Sequence, residues 1–192
     1  METNFEQLEP LTKEEIRTHS HNYEDEQPAI YVGTYHKYNC GSIYGIWVDI
    51  TSFDDYEEFC DFCKRLHRDE DDPEFMVQDF EYYPKCWYHE SGLPTEKEFD
   101  RIKEFADLDE DDKEAYQIYL ENFDEKADYD DFRDHYEGKY NSGADFAEYL
   151  CEEYGYLQNL PDLIKWCIDY DAVWRSLYTG GDYSEFDGHI FR

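Results

Sequence analysis

The sequence predicts an α+β fold made of three small domains in a row along 192 residues. First, 19% of the residues are aromatic, with 20 Tyr and 13 Phe, which supplies core side chains despite a formal net charge of −33. Second, hydrophobic periodicity changes along the chain from strand-like segments to helical stripes and back. Third, acidic residues concentrate in the middle, where residues 69–140 carry 26 Asp and Glu but 8 Lys and Arg.

The N-terminal residues 1–28 are predicted to form an acidic arm with eight acidic and two basic residues. Thr12 and Glu15 have the spacing of a capping box, so we expect a short helix over residues 13–19. The rest of this arm is polar, and we expect it to be weakly ordered.

Residues 29–90 are predicted to form an α+β domain. Two segments rich in Ile, Val, Tyr and Trp flank turn residues, as the strands of a hairpin do. A helix opened by Ser52 and Asp55 follows, with apolar residues at i, i+3 and i+4. A third strand completes the domain, and the three predicted strands cover residues 29–36, 42–50 and 75–83.

Residues 91–138 are predicted to form a thin helical domain, because each of its helices carries few apolar residues. Thr95 and Glu98 cap the first helix. Its inward face and the buried face of the second helix are predicted to comprise Phe99, Ile102, Phe105, Tyr116, Tyr119, Leu120 and Phe123. The three predicted helices end at residues 106, 123 and 136.

Residues 139–192 are predicted to form a second α+β domain. Ser142 and Asp145 cap a helix that Gly155 ends, and Pro161 opens the next helical region. The last residues, 182–192, are predicted to form a short hairpin. The apolar faces of the helices are predicted to comprise Phe146, Ala147, Leu150, Cys151, Tyr154, Tyr170, Val173, Trp174 and Leu177.

Composition excludes several classes of function. Binding to nucleic acid needs clusters of Lys and Arg to neutralise phosphates, and an anionic membrane surface would repel this chain for the same reason. The apolar stretches are too short to span a membrane, and the first ten residues lack the features of a secretory signal. We expect a cytoplasmic protein that binds neither nucleic acid nor membrane, and no cofactor is predicted.

Metal-dependent catalysis is a minor hypothesis. The residue types and spacing of a zinc site occur at Cys60, Cys63, His67, Cys86 and His89. However, Cys60 and Cys63 lie on the apolar face of a predicted helix, so we favour core packing and predict no metal site. The acidic run from Asp107 lacks the glycine and the final glutamate of a calcium-binding loop. Because phosphate-loop, hydrolase-elbow and dinucleotide motifs are also missing, we predict that the protein is not an enzyme.

The acidic surface is more informative. Like charges recur three or four residues apart, as in Asp107 with Asp111, and each exposed pair costs about 0.2–0.5 kcal/mol at low salt. A charge of −33 equals that of roughly 16 base pairs of duplex DNA. We therefore hypothesise that the chain occupies a cationic DNA-binding groove through thirteen acidic residues, Asp109, Glu110, Asp111, Asp112, Glu114, Glu121, Asp124, Glu125, Asp128, Asp130, Asp131, Asp134 and Glu137.

The sequence contains distinctive blocks such as Pro28–Tyr35, Phe132–Tyr140 and Gly188–Arg192. Together with the shorter blocks given below, they resemble the ArdA family of antirestriction proteins. The resemblance extends from about residue 28 to the C-terminus, and the middle of the chain matches in acidity more than in letters. Two departures are the acidic arm and Ser176, where an acidic residue is expected. The matching blocks are Pro28–Tyr35, Lys37–Asn39, Gly41–Ser42, Gly45, Trp47, Phe132–Tyr140, Ser142, Asp145–Ala147, Leu150, Ile168–Asp171, Trp174–Arg175, Leu177, Asp182–Tyr183 and Gly188–Arg192.

This resemblance implies both a fold and a function. ArdA proteins are DNA mimics carried by mobile genetic elements, and they inhibit type I restriction–modification enzymes by binding in place of DNA. Their fold is an elongated chain of three small domains, α+β, helical and α+β, that forms a homodimer through the last one. The implied dimerisation residues are Trp174, Leu177 and Tyr178.

A hypothesis from another class is an acidic adaptor or chaperone that binds basic DNA-binding proteins. It predicts binding to many cationic partners without preference for restriction enzymes. Inhibition of a purified type I enzyme distinguishes the two hypotheses.

Overall fold

The computed structural model describes residues 8–22 and 24–192. Within these residues the chain forms nine α-helices and two three-stranded antiparallel sheets, which confirms the predicted α+β class. The chain divides into two compact units, the first ending at Lys113 and the second beginning at Glu114. The division into three domains stays a prediction.

The first unit contains one sheet, in which the strand order is β2-β1-β3. Ala29 in the central strand pairs with Asp49 on one side and Glu81 on the other. The predicted hairpin and third strand are therefore confirmed, but the bounds of the hairpin strands are wrong. Helix α2 takes residues 35 and 36 from the first predicted strand, and β2 begins at Ile46 instead of residue 42. The elements are α1 (Lys13–His19), β1 (Ala29–Thr34), α2 (Tyr35–Asn39), β2 (Ile46–Asp49), α3 (Tyr56–Leu66), β3 (Phe75–Glu81) and α4 (Glu96–Ala106).

The core of the first unit consists of buried residues of β1, α3 and α4 together with neighbouring side chains such as Phe53. Central strands are covered on both sides, and Ile30 and Val32 accordingly have no exposed surface. The predicted inward face of α4 is confirmed, since Phe99, Ile102 and Phe105 are all buried. Thr95 and Glu98 form the predicted capping box of α4.

The predicted start of α3 is half right. Asp55 is its N-cap and accepts a hydrogen bond from the Glu58 N–H at 2.9 Å. Ser52 does not open the helix, because it belongs to a separate single turn, Ile50–Ser52. There its hydroxyl donates to the Asp49 carbonyl oxygen at 2.7 Å.

The predicted weak order of the N-terminal arm is wrong for residues 8–22. The capping box of Thr12 and Glu15 begins α1 as expected. Beyond that prediction, Glu15 forms an ion pair with Arg65 at 2.8 Å, and the His19 ring stacks on Phe53. A local sequence pattern does not reveal contacts with partners more than thirty residues away. The prediction for residues 1–7 and 23 lies outside the described residues.

The second unit contains the other sheet, in which the strand order is β4-β6-β5. The predicted terminal hairpin is confirmed, and its turn residues Asp187 and Gly188 both have positive φ, as tight hairpin turns require. Strand β4 was not predicted, because the third helix was expected to end at residue 136 and no strand was expected after it. The elements are α5 (Glu110–Asn122), α6 (Tyr129–His135), β4 (Tyr136–Lys139), α7 (Gly143–Glu153), α8 (Asp162–Lys165), α9 (Tyr170–Gly180), β5 (Ser184–Phe186) and β6 (His189–Phe191); α5 begins just before the unit boundary.

Aromatic rings form much of the second unit's core. Phe132 lies at its centre, with ring centroids of Tyr116, Tyr119 and Tyr136 between 5.0 and 5.9 Å away. Two residues predicted as buried are exposed, Phe123 at 44% and Tyr154 at 58%. Both lie immediately after the last residue of their helix, where the helical stripe no longer turns inward.

Candidate partner-binding surface

The thirteen predicted acidic residues lie between Asp109 and Glu137. Eleven of them are exposed, and Asp112 and Glu137 are half-buried. They follow α5, the loop after it, α6 and the start of β4. Exposure is the first requirement for contact with a cationic partner. The second is that a carboxylate is not already paired with a cation or a helix N-terminus of its own chain.

Three of these carboxylates cap helices. The Asp109 side chain accepts a hydrogen bond from the Asp112 N–H at 2.9 Å at the start of α5. Asp128 accepts from the Asp131 N–H at 2.9 Å, and the Asp131 side chain accepts in return from the Asp128 N–H. Because helix N-termini carry unpaired N–H groups and a partial positive charge, these acids stabilise the helices that carry the surface.

Three further carboxylates have cationic partners inside the chain. Glu110 pairs with Lys113 at 3.0 Å, and Glu137 pairs with Arg192 at 3.7 Å. Glu114 binds Lys139 at 2.6 Å and the buried His189 ring at 3.3 Å.

The hydrogen bond from Lys139 is the largest cause of a lowered pKa at Glu114, followed by the bond from His189. The negative charge of Glu114 is therefore partly neutralised by residues of its own chain. Glu114 joins α5 to Lys139 in β4 and His189 in β6, and Glu137 joins β4 to Arg192.

Apart from the half-buried Asp112, the remaining carboxylates face solvent with little or no internal contact. Glu121 accepts from the Gln117 amide at 3.2 Å, and Asp124 accepts from the Lys126 N–H. Of the thirteen, four side chains, those of Asp111, Glu125, Asp130 and Asp134, have neither a hydrogen bond nor an ion pair with the residues that the structure describes. Their full charge is available to a partner.

The aromatic core fixes these acids in place. The Tyr116 hydroxyl donates to the Ala127 carbonyl oxygen at 2.8 Å, which ties the acidic loop to α5. The Tyr119 hydroxyl lies 3.2 Å from His135 Nδ1 at the end of α6. A charged surface on a rigid support loses less conformational entropy on binding than a mobile acidic tail does.

The cysteines of the minor zinc hypothesis, Cys60, Cys63 and Cys86, do not form a zinc-binding cluster with His67 and His89. Cys63 is fully buried in the core, and burial raises the pKa of its thiol, which favours the neutral form over the thiolate that binds zinc. Among the described residues, the side chains close enough to share one cation are those of His67, Asp69 and Glu70.

The Lys37 ammonium occupies the centre of that group. Its Nζ lies 2.8 Å from Asp69, 2.8 Å from Glu70 and 3.0 Å from His67 Nδ1. Since an ammonium only donates, Nδ1 accepts, and Nε2 donates to the Val32 carbonyl oxygen at 3.3 Å. Lys37 thus supplies internally the positive charge that a metal ion would bring.

The pKa values of this cluster follow from that arrangement. Burial, and then the Lys37 charge, lower the pKa of His67, so the ring stays neutral. Burial alone would lower the pKa of Lys37, but the bonds to Asp69 and Glu70 outweigh it and raise the pKa above 10.5. The hydrogen bond from Lys37 is the main cause of the lowered pKa of Asp69.

A model of the antirestriction protein family ArdA matches residues 30–192. The chain belongs to the ArdA family. It is therefore an antirestriction protein, and a restriction enzyme is the general kind of partner that membership implies. A comparison with curated proteins found no match.

The ArdA match includes all thirteen acidic residues and leaves out residues 8–22. None of the helices in the described part of this family member is long and apolar enough to cross a membrane.

The residues predicted for dimerisation of this ArdA protein have different surroundings. Trp174 and Leu177 are half-buried and pack against the core cluster of Phe146, Leu150 and Ile190. A Cβ on Gly143 would lie 2.2 Å from the Trp174 indole, so glycine is needed at the start of α7. Tyr178 is 53% exposed.

Other apolar side chains near α8 are more exposed than these and were missed by the sequence analysis. Trp166 is 82% exposed and Leu163 is 69% exposed. The signal in the sequence was the group of large apolar residues Leu163, Ile164 and Trp166 shortly after Pro161. In the structure the four-residue helix α8 there has no buried residue. Exposed apolar residues that lie close in sequence are typical of protein–protein contact surfaces.

Proposed function

We propose that this ArdA protein inhibits type I restriction–modification enzymes by occupying their cationic DNA-binding groove, without catalysing a reaction. The observation that carries the proposal is the set of exposed carboxylates between Asp109 and Glu137, most of which lack a cationic partner among the described residues. The family's antirestriction function makes a DNA-handling enzyme the partner that such a surface fits.

The energetic basis of the proposal is electrostatic. Lys and Arg side chains that hold DNA phosphates would pair with these carboxylates instead, and counterions would be released on binding. Exposed ion pairs contribute about 0.2–1 kcal/mol each, so affinity comes from many of them acting together. A single carboxylate is therefore not expected to dominate.

The biological setting and assembly form part of the same proposal. The protein acts in the cytoplasm and protects incoming mobile DNA. It acts as a homodimer through residues 139–192, with Tyr178 at the contact. The exposed Leu163 and Trp166 support an interface in this region, since burial of large apolar side chains stabilises protein–protein contacts.

Inhibition of a purified type I enzyme tests the proposal. We expect inhibition of DNA cleavage near stoichiometry at low salt, relieved by excess DNA that carries the enzyme's recognition site. The control adds the same amount of protein to a basic histone-like protein. Unimpaired cleavage at low salt, together with tight binding to the histone-like protein, would favour the acidic adaptor instead.

A further inference from the structure

Residues 8–22, which we call the strap, lie before the ArdA match and pack on the first unit. The strap consists of residues 8–12, the helix α1 and the three residues 20–22 after it. It carries three acidic and two basic residues, so charge alone does not explain its position. Specific contacts hold each end.

Arg65 on α3 holds the first half of the strap. Its Nε donates to the Glu9 carbonyl oxygen at 3.1 Å, and its guanidinium pairs with Glu15 at 2.8 Å. A longer bond of 3.5 Å reaches the Pro10 carbonyl oxygen. Arg68, one turn further along the chain, donates to the Leu8 carbonyl oxygen at 3.2 Å.

Glu15 receives bonds from both sides. Hydrogen bonds from Thr12, and then the bond from Arg65, lower the pKa of Glu15 to about 2. The carboxylate therefore stays charged through the physiological pH range, so titration of Glu15 does not break its ion pair with Arg65 there. Arg65 also lies 3.5 Å from Asp61 on its own helix, a contact that does not involve the strap.

The second half of the strap reaches strand β2. The His19 ring stacks on the buried Phe53 at 4.1 Å between centroids, and its Nδ1 lies 2.9 Å from the Ser52 hydroxyl. Ser20 then pairs with Val48 in an antiparallel bridge, and the His21 N–H donates to the Trp47 carbonyl oxygen at 3.1 Å.

This pairing matters because β2 is an edge strand. The sheet order is β2-β1-β3, so none of the strands in residues 8–22 and 24–192 lies on the outer side of β2. Unpaired N–H and C=O groups on such an edge are a template for pairing with another chain. The strap lies on that side and pairs with Trp47 and Val48, two of the four residues of β2.

We propose that the strap closes the outer edge of β2 and that Arg65 is the positioning residue that holds it there. Release of the strap exposes the β2 edge and the face of Phe53, and a second copy of the chain then pairs at that edge. This task is separate from inhibition of restriction enzymes and does not depend on the acidic residues 109–137.

The test uses the full chain with Arg65→Gln, which removes the fork of donors that holds the strap. Lys64→Gln is the matched control, because it removes the same charge from an exposed neighbour on α3. Amide hydrogen exchange measured by NMR reports the His21–Trp47 bond directly. The amide of Val32 in β1 reports whether the sheet remains folded.

We expect the His21 amide to exchange at least about tenfold faster in Arg65→Gln, as loss of hydrogen bonds from a charged group predicts. Lys64→Gln should leave the rate within about twofold, since surface changes without contacts have small effects. The exchange rate in Arg65→Lys should fall between these two, because an ammonium keeps the charge but not the several N–H donors of the guanidinium. Glu15→Gln should also speed exchange.

Self-association measured by sedimentation gives the second readout. Arg65→Gln should form assemblies larger than the proposed homodimer at lower concentration than Lys64→Gln or the unchanged chain. Equal His21 exchange in Arg65→Gln and Lys64→Gln would overturn the role of Arg65. Faster exchange without increased association would overturn the role of the strap in protecting the edge.

Discussion

The Lys37 cluster of the first unit and the acidic surface at residues 109–137 use carboxylates in opposite ways. Asp69 and Glu70 converge on one ammonium at 2.8 Å, and Glu70 is largely shielded from solvent. Asp130 and Asp134, one turn apart on α6, face solvent with a neighbour of the same sign. The first arrangement stabilises the fold, whereas the second stores repulsion that a cationic partner can relieve.

This contrast shows that the number of acids does not reveal which of them serve function. Residues 29–68 carry a net charge of −2, and residues 69–140 carry −18, yet Asp69 and Glu70 belong structurally with Lys37 in the former segment. The informative property is whether a carboxylate already has a partner in the chain.

Neutralising the exposed acids should have the largest effect on function. Changing Asp111, Glu121, Glu125, Asp130 and Asp134 to Asn or Gln should weaken inhibition of a type I enzyme by about 100-fold, since five lost ion pairs of about 0.5 kcal/mol each amount to about 2.5 kcal/mol. Stability measured by urea unfolding should stay equal or rise by about 1 kcal/mol, because like-charge repulsion is relieved.

A control with the same charge change separates position from net charge. Glu24, Asp71, Asp72, Glu74 and Glu104 are exposed residues of the first unit. Their joint neutralisation should weaken inhibition far less. If both variants lose inhibition equally, net charge alone decides binding, which would contradict the claim that residues 109–137 form the binding surface.

Removing the internal cation should have the largest effect on stability. Lys37→Met leaves Asp69 and Glu70 together without a counter-charge, and loss of one partner from a shielded ion pair is strongly destabilising. We expect the free energy of unfolding to fall by about 2–4 kcal/mol in a urea titration. Lys64→Met, a change at an exposed lysine, should alter it by less than about 0.5 kcal/mol; an equal loss in both would contradict the assignment.

The same cluster predicts a pH dependence. The pKa values of Asp69 and Glu70 lie below their ordinary 3.8 and 4.5, so their contribution is present above those values and is lost as pH falls through the lowered pKa values. The lowered pKa of His67 acts in the same direction below about pH 6.5. The stability difference between the unchanged chain and Lys37→Met should therefore shrink by about 1 kcal/mol or more from pH 7 to pH 3. A constant difference would exclude charge pairing as its cause.

A single exposed acid should matter least. Asp130→Asn should weaken inhibition by less than about threefold and raise stability by a few tenths of a kcal/mol, about the value of one repulsive pair with Asp134. The measurement is the inhibition constant together with urea unfolding. Loss of inhibition from this one change would indicate a localised site and not a distributed surface.

The sequence predicted what depends on local patterns. The capping boxes of Thr12 and Thr95, the strands around Val32 and the apolar face of α4 all follow from residues a few positions apart. Exposure of most of the thirteen acids also followed, because charged residues at helical spacing without apolar neighbours face solvent.

Contacts between distant residues were beyond those patterns. The pairing of Glu114 with Lys139 and His189, the Lys37 cluster and the link between Glu15 and Arg65 each join residues 25 or more positions apart. Strand β4 was missed because Gly138 and Lys139 lack the β-branched and aromatic residues that signal a strand. Similarity to ArdA added the partner class, which no single contact supplies.

Displacement of DNA from a type I enzyme across a salt series tests the central claim most directly. A labelled duplex with the recognition site would be bound to the enzyme and titrated with this protein or with the five-residue neutralised variant. We predict that the unchanged chain displaces the duplex, and that its affinity falls more steeply with salt than that of the variant, by several units on a log–log plot. A ternary complex that retains the duplex, or equal salt slopes for both proteins, would contradict DNA mimicry by this surface.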